Sequence, residues 1–90
     1  MRNIIRGYIK NIPKGSIFDS HAIIFKLIQS NSNEYLTNFT GNTTAIYHGT
    51  IGQIIAEFEN DPNDRIKRIG NSWSKNIRDK FSKCTCWEKL

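Results

Sequence analysis

Between Thr43 and Phe58 the apolar residues fall on one helical face, and the chain then stops abruptly. Tyr47, Ile51, Ile54, Ile55 and Phe58 sit at i, i+4, i+7, i+8 and i+11, the repeat of a helix buried along one stripe. Asn60-Asp61-Pro62-Asn63-Asp64 follows at once. Proline removes an amide donor, and Asn and Asp favour turns, so the helix cannot run through this segment. A chain of 90 residues is the size of one domain. A helix over 43–58 is the clearest periodic signal in it. Gly49 and Gly52 each weaken such a helix by about 1 kcal/mol relative to Ala. Either they permit close backbone approach, or the helix starts only at His48 or later.

Upstream, Arg2 to Ile12 carries Ile4, Ile5, Tyr8, Ile9 and Ile12 in imperfect alternation and reads as a strand or extended arm. Pro13-Lys14-Gly15-Ser16 is a turn signal. A helix then starts near Asp19 or Ser20, either of which caps it by accepting a backbone N–H. Its apolar residues Ala22, Ile24, Phe25, Leu27 and Ile28 have helical spacing. Ser30-Asn31-Ser32-Asn33 ends it. Glu34 to Phe39 forms a short second helix that buries Tyr35, Leu36 and Phe39. Thr40-Gly41-Asn42 is a turn in which Gly41 is free to take positive φ.

The last segment has two readings. Arg65 to Ile77 and Cys84 to Leu90 pair as a hairpin around a loop at Arg78 to Lys83, or Trp73, Ile77, Phe81 and Cys84 share one face of a helix capped by Ser72. Gly70, Asn71 and Thr85 suit strands and loops better and favour the hairpin. The expected fold is α+β: an N-terminal basic arm or strand (1–14), a helical body (15–64) with three helices, and a C-terminal basic β-hairpin (65–90). The alternative is a mainly α fold ending in a helix.

Charge follows the same division. The net charge is +5. Residues 1–14 carry Arg2, Arg6, Lys10 and Lys14 without an acid, for a net +4. Residues 15–64 carry Lys26 against six acids, for −5, and residues 65–90 carry eight bases against Asp79 and Glu88, for +6. If the two ends meet, they make one positive face on an acidic body, and such a face attracts polyanions. Scattered solvated lysines are the plainer reading.

The order arm, helix, short helix, Gly41 turn, helix, basic hairpin resembles the winged helix-turn-helix family. The helix–turn–helix spacing across 34–58 and the terminal basic hairpin carry the resemblance. Ser72-Trp73-Ser74-Lys75-Asn76-Ile77 with Cys84 and Trp87, after Phe18-Asp19-Ser20-His21, is also similar to a group of small bacterial proteins of unassigned function. The winged-helix resemblance implies that residues 43–58 form a recognition helix whose first part faces base edges in the major groove. Asn42, Thr43, Thr44, His48 and Gln53 are then the candidate readers, since Asn and Gln bond adenine in pairs and Thr meets bases or a thymine methyl. Phosphate contacts fall to Lys75, Arg78, Lys80 and Lys83 of the wing and to Arg65, Lys67 and Arg68. The helix has no Lys or Arg, a departure from the family pattern. Thr43 and Thr44 are equally well explained as helix caps.

The expected function is therefore a DNA-binding protein, a small transcriptional regulator that contacts phosphates through its C-terminal basic segment. The rival is a protein-interaction module of the same shape, docking on an acidic protein surface, because fold does not fix function. Homodimerisation is open for so small a chain.

Other motifs are weaker. Gly49-Thr50-Ile51-Gly52 matches the GXXG loop of KH domains, without the basic residues usual between the glycines. Trp73, Trp87, Tyr8 and Phe81 interleave with Lys and Arg; such aromatics stack on unpaired bases or, more commonly, complete a core. His21, His48, Cys84 and Cys86 lack the spacing of a zinc site, and a disulfide between Cys84 and Cys86 is strained, so neither metal nor cofactor is expected. Asp19-Ser20-His21 invites a catalytic reading, but triads are defined in space, and capping explains the first two. With no nucleophile elbow and no phosphate-binding loop, no enzyme is expected. No run approaches the roughly 18 apolar residues of a membrane span, and the N-terminus lacks the apolar stretch of a signal peptide, so a cytoplasmic location is expected.

Overall fold

The computed structural model describes residues 1–39, 41 and 43–90. The fold is α+β. Its elements run α1 (Arg2–Lys10), β1 (Ile17–Asp19), α2 (Ser20–Ser30), α3 (Ser32–Thr37), α4 (Thr44–Ala56), a 3₁₀ turn (Glu57–Asn60), β2 (Ile66–Lys75) and β3 (Phe81–Lys89). The strands form one antiparallel sheet in the order β1-β3-β2.

The first segment is a helix, α1, and not the expected arm or strand. Ile5 and Ile9 are fully buried, and Met1, Ile4, Tyr8 and Ile12 pack partly buried against the same core. Positions 1, 4, 5, 8, 9 and 12 make a helical stripe, which outweighs the partial alternation. Its exposed side carries Arg2 and Arg6, one turn apart. Arg2 bonds Glu57 at 3.0 Å and Arg6 bonds Asp61 at 3.0 Å, so α1 is tied to the two ends of the 3₁₀ turn that follows α4. The fold therefore has four α-helices where three were expected; the body over 15–64 has the expected three, and α1 is the addition.

Asp19 is the residue that caps α2: its carboxylate accepts the Ala22 N–H at 2.8 Å. The buried face of α2 is Ile23, Ile24 and Leu27, while Ala22 is exposed. The short helix begins two residues earlier than expected, and Leu36 faces solvent. Tyr35, Phe39 and Tyr47 instead form an aromatic cluster, with ring centroids 5.1 Å apart for Tyr35–Tyr47 and 4.7 Å for Phe39–Tyr47. The Tyr47 hydroxyl donates to the Tyr35 carbonyl, and burial pushes its pKa up to about 12. Gly41 has a φ of +71°, which glycine adopts readily; Thr40 and Asn42 of the expected turn lie outside the described residues.

Helix α4 begins at Thr44, with Thr43 as cap accepting the Ile46 N–H at 3.3 Å. Tyr47, Ile51, Ile54 and Ile55 are buried on it, and Phe58 is buried in the 3₁₀ turn. The glycines neither delay its start nor mark a close approach, because a Cβ at Gly49 or Gly52 would meet nothing within 4 Å. Gly49-Thr50-Ile51-Gly52 lies inside this helix with Ile51 fully buried, which rules out a KH-type loop.

The last segment is the hairpin. Its strands end earlier and begin earlier than expected, so the connection is residues 76–80. A bulge at Ile69 lets Arg68 pair with Trp87 and Gly70 with Cys86; Gly70 takes a φ of +139°, which L side chains rarely adopt. The short strand β1, unforeseen in the sequence, lays Phe18 opposite Trp87 with stacked rings 5.8 Å apart. Trp87 is almost wholly buried and anchors the sheet to the helices. No helix among the described residues is long and apolar enough to cross a membrane.

Candidate nucleic-acid interface

A groove of about 540 Å³ runs between α4 and the hairpin. One wall is the α4 face of Thr44, Ala45, His48, Gly49, Gly52, Gln53 and Ala56. The other is formed by Asn76, Ile77, Arg78 and the Ser82–Thr85 stretch of β3, with Ser20, His21 and Ile24 of α2 and with Arg68 and Trp87 completing the lining. On the α4 wall small residues, Ala45, Gly49, Gly52 and Ala56, surround His48 and Gln53. The hairpin wall brings the charge.

The hairpin is held in place by a run of polar contacts that starts at the α2 cap. Ser72 Oγ donates to Asp19 Oδ2 at 2.8 Å. Cys84 Sγ lies 3.5 Å from Ser72 Oγ and 3.7 Å from Ser74 Oγ. Ser74 Oγ is 2.7 Å from His21 Nδ1, and Ser82 Oγ is 3.4 Å from His21 Nε2. Asn76 then donates from Nδ2 to Ser82 Oγ at 3.3 Å, and its Oδ1 accepts the N–H groups of Arg78 at 2.9 Å and Lys80 at 3.3 Å. Asp79 adopts a φ of 59° to close the turn, a conformation that Asp tolerates better than most residues. The tip bearing Arg78 and Lys80 is thus tied back to helix α2. Burial pushes the Asp19 carboxyl up, but hydrogen bonds from Ala22, Ser72 and Ser74 and the nearby His21 outweigh it and leave its pKa below the ordinary value.

The candidate readers and phosphate contacts separate clearly. Thr44, His48, Gln53, Arg68, Arg78 and Lys83 line the groove. Thr43 is exposed and spent on its cap, and Asn42 lies outside the described residues. His48 is half-buried with Nε2 2.8 Å from the Tyr35 hydroxyl, so one ring nitrogen is occupied within the protein. Its pKa is lowered, first by burial and then by the nearby His21 and Arg78.

Among the bases, Arg68 binds Glu59 at 2.9 Å and Lys75 binds Asp79 at 3.2 Å. Arg65 donates to the Glu59 carbonyl at 3.2 Å, and exposed Lys67 stands opposite Glu88 at the base of the hairpin. Arg78, Lys80 and Lys83 carry no ion pair among the described residues. The N-terminal arginines do not join them, since Arg2 and Arg6 are neutralised by Glu57 and Asp61. The chain ends do meet, but through Lys89, whose ammonium is buried against α1.

Of the four interleaved aromatics, Trp87 is core and Tyr8 packs against it, whereas Trp73 and Phe81 are exposed. Cys84 and Cys86 are free thiols, and burial, followed by Asp19 and Cys84, raises the pKa of Cys86. His21, Asn76 and Ser82 were not distinguishable as site residues in the sequence. The only signal available was that Ser72, Ser74 and Ser82 alternate along the two arms, placing hydroxyls on one face of the hairpin.

Fold and site together define a small α+β domain with a cationic groove between a helix and a hairpin. Comparison with family models, with curated proteins and with solved structures gives no match to this chain.

Proposed function

We propose that the chain is a DNA-binding protein of winged helix-turn-helix type, serving as a small transcriptional regulator. The element order α1-β1-α2-α3-α4-β2-β3, with β3 central in the sheet, supports this reading: it places a hairpin directly after a helix that follows a short helix and a turn. The observation that carries it is the trio Arg78, Lys80 and Lys83, without acidic partners, on the hairpin beside the exposed face of α4. Phosphates meet this trio, and α4 enters the groove of the duplex with exposed Gln53 and half-buried Thr44 among the base-facing side chains. Arg68 and Lys75 act from within ion pairs and contribute less.

Affinity then comes mainly from released counterions. Three phosphate contacts give a slope of about −3 in log K against log salt. Fluorescence anisotropy with a labelled generic duplex over a salt series tests this. Replacing Arg78, Lys80 or Lys83 by Ala should each reduce the slope by about 1. Arg6→Ala should leave it unchanged. Absence of duplex binding at low salt sinks the proposal.

The rival, a protein-interaction module, draws on one observation: the α4 wall has no Lys or Arg and is lined by Ala45, Gly49, Gly52 and Ala56. Such a wall suits close approach by a second backbone. Absence of duplex binding at low salt, alongside a reproducible acidic protein partner, would favour it.

A further inference from the structure

Trp73 and Phe81 are the largest apolar side chains left in solvent on the hairpin, 67% and 58% exposed. The register pairs Trp73 with Lys83 and Lys75 with Phe81. Cross-strand partners share a face, as do residues two apart on a strand. These four side chains therefore form a checkerboard in which each aromatic neighbours an ammonium. Lys75 Nζ lies 5.7 Å from the centre of the Phe81 ring. The two rings are diagonal neighbours, about 7–8 Å apart at the backbone, and both are more than half exposed, with Lys75 over one face of Phe81. None of this is needed for the core, which is closed by Trp87 and Phe18.

We propose that this face of the hairpin binds single-stranded nucleic acid, stacking unpaired bases on Trp73 and Phe81 while Lys83 meets the adjoining phosphates and Lys75, which is paired with Asp79 at 3.2 Å, contributes less. The inference rests on the nucleic-acid reading above and shares Lys83 with it, but turns on Trp73 and Phe81, which that reading does not use. A duplex hides its base faces, so the aromatic pair adds nothing to duplex binding; an unpaired strand exposes a π-face at every nucleotide, and alternating rings and cations match its alternating bases and phosphates. A second copy of the chain fits poorly, because face-to-face association would set lysines against lysines. The unpaired Arg78 and Lys80 at the adjoining tip add to the same positive field.

The test uses the full chain, an oligothymidine of twelve residues and a blunt duplex of the same length. Trp87 is almost wholly buried, so quenching of tryptophan emission by the oligothymidine reports Trp73. Trp73→Ala and Phe81→Ala should each weaken oligothymidine binding by roughly tenfold, leave duplex binding unchanged and keep the urea midpoint of the wild type. Trp73→Phe should retain most of the affinity. Three results overturn the inference: unchanged oligothymidine binding by both Ala variants, equal losses on duplex and single strand, or a wild-type dimer that Trp73→Ala converts to a monomer without affecting binding. A chain that binds the duplex but not oligothymidine overturns this inference alone; a chain that binds neither overturns the duplex reading as well.

Discussion

His21 Nδ1 lies 2.7 Å from Ser74 Oγ, joining the first turn of α2 to the middle of the hairpin across 53 positions of sequence. The contact lies in the polar run from Asp19 to Asn76, so it decides how firmly the tip is held rather than what the tip touches. His21→Ala should cost about 1 kcal/mol of stability, the net value of a typical hydrogen bond. Hydrogen exchange should speed up in the Ser72–Ser82 amides and stay unchanged in α4. Duplex affinity should fall because Arg78 and Lys80 lose their fixed position, although the salt slope stays the same. A reduced slope would instead make His21 a direct phosphate contact.

Lys89 is 3% exposed, and its ammonium donates to the Ile9 carbonyl at 2.7 Å, with the Lys10 and Ile12 carbonyls at 3.5 and 3.4 Å. The Ile9 and Lys10 carbonyls close α1 and Ile12 lies just beyond it, at a helix end that has few amide donors of its own; Ile9 also accepts the Ile12 N–H at 3.1 Å. Asp64 Oδ1 stands 3.6 Å away. Lys89→Met keeps the stem and removes the charge, leaving the carbonyls and Asp64 without their donor. It should destabilise the fold by about 3 kcal/mol, read as a lower urea midpoint, while the salt slope of duplex binding remains that of the wild type. A Lys89→Met protein of wild-type stability would show that water satisfies the end of α1.

Glu59 joins the 3₁₀ turn to the sheet. The Trp87 indole N–H at 2.8 Å, followed by the Arg68 guanidinium at 2.9 Å, outweighs burial and holds its carboxyl below the ordinary 4.5. A carboxyl lowered in the folded state contributes stability above its unfolded pKa and loses it as pH falls through the folded one. The urea midpoint should therefore stay level from neutral pH down to the ordinary carboxyl range and decline below it. Glu59→Gln keeps an acceptor for Trp87 and removes the charge. It should lower the midpoint at neutral pH and flatten the acid decline; a curve parallel to the wild type would dismiss this role.

The parts of the fold that were readable in the sequence are those fixed locally. Asp19 and Thr43 cap helices because short polar side chains reach the free amides, and the stripe from Tyr47 to Phe58 needed only helical periodicity. The hairpin was readable from Gly70, Asn71 and Thr85. What escaped was set by tertiary partners. Residues 1–12 carry both a helical stripe and a partial alternation, and burial against the helical body, reinforced by Arg2–Glu57 and Arg6–Asp61, decides for the helix. The same ion pairs removed the N-terminal arginines from the positive surface, which a count of charges cannot reveal. Strand β1 is three residues long and exists because β3 offers Trp87 to Phe18. At the site, Arg78, Lys80 and Lys83 were readable as bases, but their freedom from acids depends on which neighbours the fold supplies.

Gly49 and Gly52 set stability against the groove. Each lies within α4, where glycine costs about 1 kcal/mol relative to Ala, and an added Cβ would meet nothing within 4 Å at either position. Gly49→Ala and Gly52→Ala should therefore each raise stability by about 1 kcal/mol, since alanine loses less backbone freedom on folding. Both positions line the groove wall opposite Arg78 and Lys83. If a nucleic-acid backbone approaches that wall closely, the methyl groups will weaken duplex binding even as they strengthen the fold. Urea denaturation and duplex anisotropy on the same two variants separate the effects. A rise in stability with a loss of affinity makes the glycines part of the binding wall. A rise in stability with unchanged affinity leaves the hairpin as the whole of the duplex contact.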